Sequence, residues 1–243
     1  MNAENQVLVI DAGNTSIKVG LFYEGELIKV CRFSLDDLGA LSNWIEDHRV
    51  TKSVLSSVLS AADTRRILSL TPDTFSVDSS TRLPIKLNYK SKNTLGIDRI
   101  CNAVYMGINC ESTYGVSVDI GTCIKFDMVQ KQNGYLGGSI APGIALRYKS
   151  LNDYTGNLPL LSNKSNTNLV GNDTKSSIQS GVINGIHCEI EHMMEHYTEQ
   201  YSDLTFFVTG GDASFFDIHS KNDIFADENL TLKGLFEIYK YNA

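Results

Sequence analysis

Positive charge is in short supply in this sequence: 21 lysines and arginines face 28 acids, for a formal net charge of −7 at pH 7. That balance argues against a nucleic-acid or anionic-membrane partner, since no basic excess exists to displace counterions. A small anionic ligand held by local N–H groups remains open. Long apolar runs are also missing, and no stretch approaches the roughly 20 residues needed to span a bilayer. Met1–Gln6 is polar and acidic and lacks the basic-then-apolar layout of a signal peptide. The five cysteines (31, 101, 110, 123 and 188) are odd in number, scattered, and include no C-x-x-C pair. They fit reduced thiols in a cytosol better than a disulfide framework or a zinc site. No low-complexity segment or linker interrupts the chain. These absences predict a soluble cytoplasmic protein. Its 243 residues, 42% hydrophobic and 20% charged, are enough to bury a core as one large domain or two small ones.

A Walker loop, G-x-x-x-x-G-K-[ST], is absent as well. In its place stand two short glycine turns with one signature, Asp11-Ala12-Gly13-Asn14-Thr15 and Asp119-Ile120-Gly121-Thr122. Each follows a β-branched run, Val7–Ile10 and Val116–Val118, and each leads into another strand and then a hairpin turn. Glycine lets backbone N–H groups approach an anion, and the hydroxyl adds a donor. The carboxylate cannot bind phosphate directly, so it is suited to a cation or an attacking water. One such turn is equally an ordinary hairpin. Its repetition predicts a duplicated domain with one nucleotide between the halves. Aligning Thr15 with Thr122 also superposes Lys18 on Lys125; a lysine on a phosphate and a solvated strand lysine are both compatible with this position, so the turn alone gives neither a role.

Strand and helix patterns support an α/β class. Strands are predicted at Val7–Ile10, Ser16–Phe22 and Leu27–Phe33, then a helix with Asp36 and Asp37 in its first turn. A strand (53–59), a helix (63–70), a strand (74–77) and a crossing segment (81–93) follow. A helix from about Ile97 to Cys110 leads to a second strand–turn–strand–hairpin–strand unit at 115–140. The segment 158–172 reads as an exposed loop. The clearest helix is 174–201, with Ile178, Val182, Ile186, Ile190, Met193 and Tyr197 at i+3/i+4 spacing. Gly181 and Gly185 inside it predict close packing on another element. A strand (205–209) and a C-terminal helix (230–241) complete two halves, 1–112 and 113–243, expected to share a cleft.

Other constellations admit two readings each. Gly96-Ile97-Asp98-Arg99 opens a helix; Asp98 is a cap, or a general base with Arg99 as anchor for a carboxylate. Gly137–Gly143 is a strand end with a turn, or backbone brought close to a ligand. Thr209-Gly210-Gly211-Asp212 is a βα turn, or a floor for a nucleoside. His192-Met193-Met194-Glu195-His196 fits a metalloprotease pattern. Yet Glu189, Glu191, Glu195 and Glu199 mark that stretch as a charged helix flank, and no further metal ligand stands out.

Taken together, these residues resemble type III pantothenate kinases, members of the acetate and sugar kinase, Hsp70 and actin superfamily, over essentially the whole chain. The resemblance rests on Asp11–Lys18, Gly96–Arg99, Asp119–Thr122, Gly137–Gly143, Thr155–Pro159, Gly171–Thr174 with Gln179–Gly181, Thr209–Gly211 and Leu230–Leu235. It implies a duplicated actin-like (ribonuclease H-like) ATPase fold and ATP-dependent phosphorylation of the primary hydroxyl of pantothenate, the first step toward coenzyme A. It assigns Asp98 as the base. Tyr89, Gly96, Ile97, Asp98, Arg99 and Thr174 become pantothenate contacts. Asp11, Ala12, Gly13, Asn14, Thr15, Ser16, Ile17, Lys18 and Thr122 become the ATP-phosphate site. It also implies Mg2+ with ATP, a monovalent cation (K+ or NH4+) on Asp119, and a homodimer in which the long helix is an interface element. The sequence departs from the family's D-x-G-T-A-x-T at Cys123 and Lys125, and the lysine adds charge beside the expected cation. Two other readings compete: a superfamily phosphotransferase for another small hydroxylated substrate, and a non-catalytic nucleotide-binding regulatory protein. Tyr89, Arg99 and Thr174 argue against the first, and retention of Asp98 against the second.

Overall fold

A computed structural model describes residues 6–162 and 167–243. Most of the polar N-terminal stretch and residues 163–166 of the expected loop lie outside the described residues.

The first unit comprises residues up to 108 together with 229–243. Alternating apolar residues form β1 (Gln6–Ala12), β2 (Ile17–Tyr23) and β3 (Glu26–Phe33), an antiparallel meander closed by tight turns. Helix α1 (Leu38–Asp47) follows. Asp37, expected in its first turn, sits one position earlier as the N-cap, accepting from the Ala40 amide at 3.2 Å. Next come β4 (Ser53–Ser57), α2 (Ala61–Leu68) and β5 (Thr74–Ser76); β4 pairs in parallel with both β1 and β5. A 3-10 turn (Lys92–Thr94) precedes α3 (Ile97–Asn109).

The second unit, 109–228, repeats this plan. It runs through β6 (Tyr114–Ile120), β7 (Cys123–Gln130), β8 (Gly134–Pro142), α4 (Ile144–Asp153), α5 (Thr174–Gln200), β9 (Leu204–Thr209) and β10 (Ile224–Ala226). The sheet order β3-β2-β1-β4-β5 of the first unit corresponds strand for strand to β8-β7-β6-β9-β10 in the second. The duplication predicted from the repeated turn is therefore present in the topology. Strand β10 and a 3-10 turn at Ala213–Phe215 were not predicted.

Each unit has its own core. In the first, Leu8, Ile10, Ala12, Ile17, Val19 and Leu21 pack with Leu41, Ile45 and Ile67 of α1 and α2. The opposite sheet face meets α6 (Leu230–Asn242), which packs on β1 and β4. Phe22 stacks on Phe236 with centroids 4.2 Å apart, and Thr231 donates a 2.9 Å hydrogen bond to Asn102 of α3. The C-terminal helix, expected with the second half, is thus part of the first unit. In the second unit, Ile178, Val182, Ile186, Ile190 and Met194 run along α5 onto Val116, Val118 and Ile120 of β6 and Ile124, Phe126 and Met128 of β7. Each fully buried side chain of this kind contributes about 1.5–3 kcal/mol, so this stripe holds the helix on its sheet. Met194 is fully in the core, while Met193 and Tyr197 are partly buried against it. Among the described residues, a Cβ at Gly181 or Gly185 would meet nothing within 4 Å, so no described element packs on either glycine.

Candidate active site

The first turn closes between β1 and β2, with the Gly13 amide donating to the Ser16 carbonyl at 3.1 Å. Ala12 and Ile17 are buried in the core, which fixes the base of the turn, while Asn14 and Thr15 at its tip are exposed. Asp11 stands opposite Lys18 in the antiparallel ladder and opposite Ser56 in the parallel one. Ser56, buried, donates to Asp11 Oδ1 at 3.4 Å. This turn therefore lies at the carboxyl end of β1, where its direction reverses into β2 and β4 runs alongside it. In α/β sheets, ligands settle at such strand ends.

Asp98 is the second residue of α3, and Arg99 beside it is 5% exposed. Gly96, just before the helix, leaves space that the Asp98 carboxylate occupies: a Cβ there would lie 2.5 Å from Asp98 Oδ1. Cys101, one turn on, is wholly buried. Its thiol is held well above the usual range, first by burial and then by the negative charges of Asp11 and Asp98. Both carboxylates therefore bear on one point of the first unit, bringing the first turn and the candidate base into one neighbourhood. Tyr89 is half-buried in the irregular segment that leads to α3.

In the second unit, β6 ends at Asp119, Ile120 and the turn Gly121-Thr122. The Gly121 amide donates to the Cys123 carbonyl at 3.1 Å, and the Gly143 amide to the Thr122 carbonyl at 3.0 Å. A side chain at Gly143 would collide with the carbonyls of Gly121 and Thr122, so glycine is what lets α4 begin against this turn. Gly210, with φ +101°, lies against the Ile120 backbone in the same way, and the Asp212 amide donates to the Ile120 carbonyl at 2.9 Å. Three glycine-bearing segments that were ambiguous in sequence thus converge on the end of β6.

Asp119 faces Lys125 across the ladder. Lys125 Nζ lies 2.8 Å from Asp119 Oδ2, with the side chains 14% and 11% exposed. This is the carboxylate to which the family resemblance assigns a monovalent cation, and it is paired with the Lys125 ammonium. Sequence reading left Lys125 without a role, although its superposition on Lys18 was the available signal. Ser56 was missed altogether, because nothing local distinguishes a serine at the end of a second parallel strand.

Thr174 begins α5 and is exposed. Asp173 caps that helix, accepting from the Ser176 amide at 2.7 Å; Ser176's hydrogen bonds hold its carboxyl below the usual range. Thr174 lines an open cavity of about 790 Å³ with Leu151, Leu158, Ile178, Val182 and Arg147. Arg147 Nε donates to the Pro142 carbonyl at 2.8 Å, which joins this cavity to the segment lying on the second turn. Among the described residues, no three His, Cys, Asp or Glu side chains are grouped so as to hold a metal ion, those of the histidine motif included. His192 Nδ1 lies 3.1 Å from Glu195 Oε2 on an exposed helix flank.

Residues 7–196 match the family model described as type III pantothenate kinase. A type III pantothenate kinase of Christiangramia forsetii is 38% identical over 239 residues, covering 97% of this chain and 98% of the relative. Among solved structures, a Campylobacter jejuni protein ascribed to the Baf family of transcriptional activators superposes with a TM-score of 0.63. It is 23% identical over 97% of this chain and 98% of its own. A Listeria monocytogenes protein ascribed N-acetylmannosamine kinase activity superposes with a TM-score of 0.51 at 11% identity, over 98% of this chain and all of its own. At such identities the two structures carry the fold alone, a duplicated α/β fold shared with sugar kinases.

Proposed function

The chain belongs to the type III pantothenate kinase family, and from that premise we propose that it phosphorylates the primary hydroxyl of pantothenate with ATP, the first step toward coenzyme A. The observation that carries this reading is the match over residues 7–196, which spans both Asp-x-Gly turns and Gly96–Arg99.

Each residue then has a task. The hydroxyl oxygen of pantothenate attacks the γ-phosphorus, the bond to the β-phosphate oxygen breaks, and ADP leaves. The hydroxyl proton passes to Asp98, whose half-buried carboxylate is held at the start of α3. Gly96, Ile97, Arg99, Tyr89 and Thr174 bind the substrate, with the forked donors of Arg99 suited to its carboxylate. The turn from Asp11 to Lys18, and Thr122, hold the phosphates through backbone N–H and hydroxyl donors. Asp11, half-buried at the mouth of its turn, offers the hard oxygen donors that magnesium prefers. Magnesium bound with the nucleotide would neutralise phosphate charge. Phosphoryl transfer depends mainly on positioning and charge stabilisation, so neither a Walker lysine nor a nucleophilic triad is needed. The reading also calls for one positive charge beside the phosphates, at Asp119.

The reading includes a homodimer and a cytoplasmic location. Support for the dimer comes from the second unit, where α5 presents Gly181 and Gly185 to open space and Leu146, Leu160 and Leu169 are exposed. Light scattering should give a solution mass twice that of the chain; a monomer at micromolar concentration contradicts it. The five cysteines are unpaired, as a reducing compartment requires; among the described residues, no helix is long and apolar enough to cross a membrane. The activity itself is tested by offering ATP and magnesium with pantothenate, sugars, acetate and glycerol in parallel. Phosphate on pantothenate alone supports the reading.

A further inference from the structure

A monovalent cation on Asp119 does not fit the side chains that surround it. Lys125 stands directly across the β6–β7 ladder from Asp119, and its ammonium nitrogen is 2.8 Å from Oδ2. Both side chains are largely withdrawn from water. We propose that the Lys125 ammonium is itself the monovalent charge of this site, a tethered replacement for K+ or NH4+, and that turnover needs no added monovalent cation. This rests on the kinase reading above and deepens it.

The argument is chemical first. A lysine head group presents to a carboxylate the same N–H donors and the same single charge as free ammonium. Bound to Asp119, it leaves the pair neutral, as K+ or NH4+ would. A free cation could reach Oδ2 only by displacing the ammonium or by sitting against a like charge, and at 11–14% exposure solvent screens that repulsion weakly.

Geometry makes displacement difficult. The ladder fixes the Lys125 backbone opposite Asp119, so the tether presents the charge at high effective concentration without recruitment from solution. Asp119 Oδ1 lies toward Gly121, 3.8 Å from where a Cβ on that residue would stand. One carboxylate oxygen thus faces the turn while the other carries the lysine, placing the charge at the turn that holds Thr122. The first unit shows that this ladder position accepts a lysine. Lys18 stands opposite Asp11 in the equivalent register and is also buried.

The experiment compares choline chloride, KCl and NH4Cl at equal ionic strength, using the full chain. One arm measures initial rates of ADP formation with pantothenate and MgATP. A second measures affinity for a non-hydrolysable ATP analogue by calorimetry, which requires no turnover. For the unaltered protein, rates and affinities in the three salts should agree within about threefold; a larger saturable gain with K+ or NH4+ overturns the proposal. Lys125→Thr, which restores the family residue, should lose roughly tenfold or more in choline and regain it with K+. Lys125→Thr that is unimpaired in choline also overturns it. Should that variant fail to fold, the salt comparison on the unaltered chain still decides. If no salt supports pantothenate phosphorylation, the kinase reading fails, while the affinity arm continues to test Lys125.

Discussion

Replacing Asp98 by Asn removes a proton acceptor while changing little else. Asparagine has nearly the same volume, so it fills the space that Gly96 leaves at the start of α3. Loss of one negative charge in the first turn of a helix costs about 0.3–1 kcal/mol of stability. A positioned general base contributes about 10²–10⁴-fold to rate, or roughly 2.7–5.5 kcal/mol of barrier. Turnover by D98N should therefore fall by that factor, with kcat and kcat/KM for pantothenate falling together, as expected when an interaction made only in the transition state is removed. Binding of an ATP analogue should stay within about twofold, since Asp98 is assigned no phosphate contact. A second readout is the Cys101 thiol, whose raised pKa depends in part on Asp98; in D98N it should move down. The assay is coupled ADP release alongside calorimetry of analogue binding. Retention of more than about a tenth of kcat would refute the role of base. Equal collapse of analogue binding would show that Asp98 maintains the site's structure instead.

Three other outcomes follow from the packing. Because burial and two carboxylates raise the Cys101 pKa above its unfolded value, the stability contributed by its neutral thiol is complete below about pH 8.5 and lost as pH rises toward the folded pKa, by up to about 1.4 kcal/mol per pH unit. Denaturant unfolding between pH 8 and 10 should show this decline, shallower in Cys101→Ala; an identical slope in that variant counts against it. Tyr135 donates a 2.7 Å hydrogen bond to Asp127, both fully buried, so Tyr135→Phe should cost about 1.5–3 kcal/mol in urea, and a loss indistinguishable from zero would contradict this. Gly143→Ala forces a side chain onto the carbonyls of Gly121 and Thr122. It should cost about 1–3 kcal/mol and weaken ATP binding as well, and unchanged affinity would detach this contact from nucleotide binding.

Much of the fold was legible because its signals are local. The strand–turn–strand repeat at Asp11 and Asp119 announced the duplication, and the i+4 run from Ile178 to Ile190 announced α5 together with its buried face. Long-range placement was not legible. Nothing in Leu230–Leu235 says that the helix packs on β1 and β4, because an amphipathic stripe records that a partner exists and not which one. Gly181 and Gly185 show the same limit. Glycine in a helix is compatible with close packing but does not name the partner, and among the described residues nothing lies against either position. At the site, the glycines converging on the end of β6 were visible as motifs, but the contact of Gly143 and Gly210 with residues 120–122 depends on strand order. Ser56 and the Lys125–Asp119 pair arise from ladder register, which a sequence fixes only through the strands it pairs.

The central claim is the identity of the phosphoryl acceptor. It is tested most directly by incubating the protein with MgATP and, in separate reactions, pantothenate, glucose, N-acetylmannosamine, acetate and glycerol, then locating any transferred phosphate by phosphorus NMR. The account predicts a single product, pantothenate esterified at its primary hydroxyl, formed together with ADP. Phosphate on a sugar, acetate or glycerol with pantothenate untouched, or no transfer to any acceptor by folded protein that binds ATP, would contradict it.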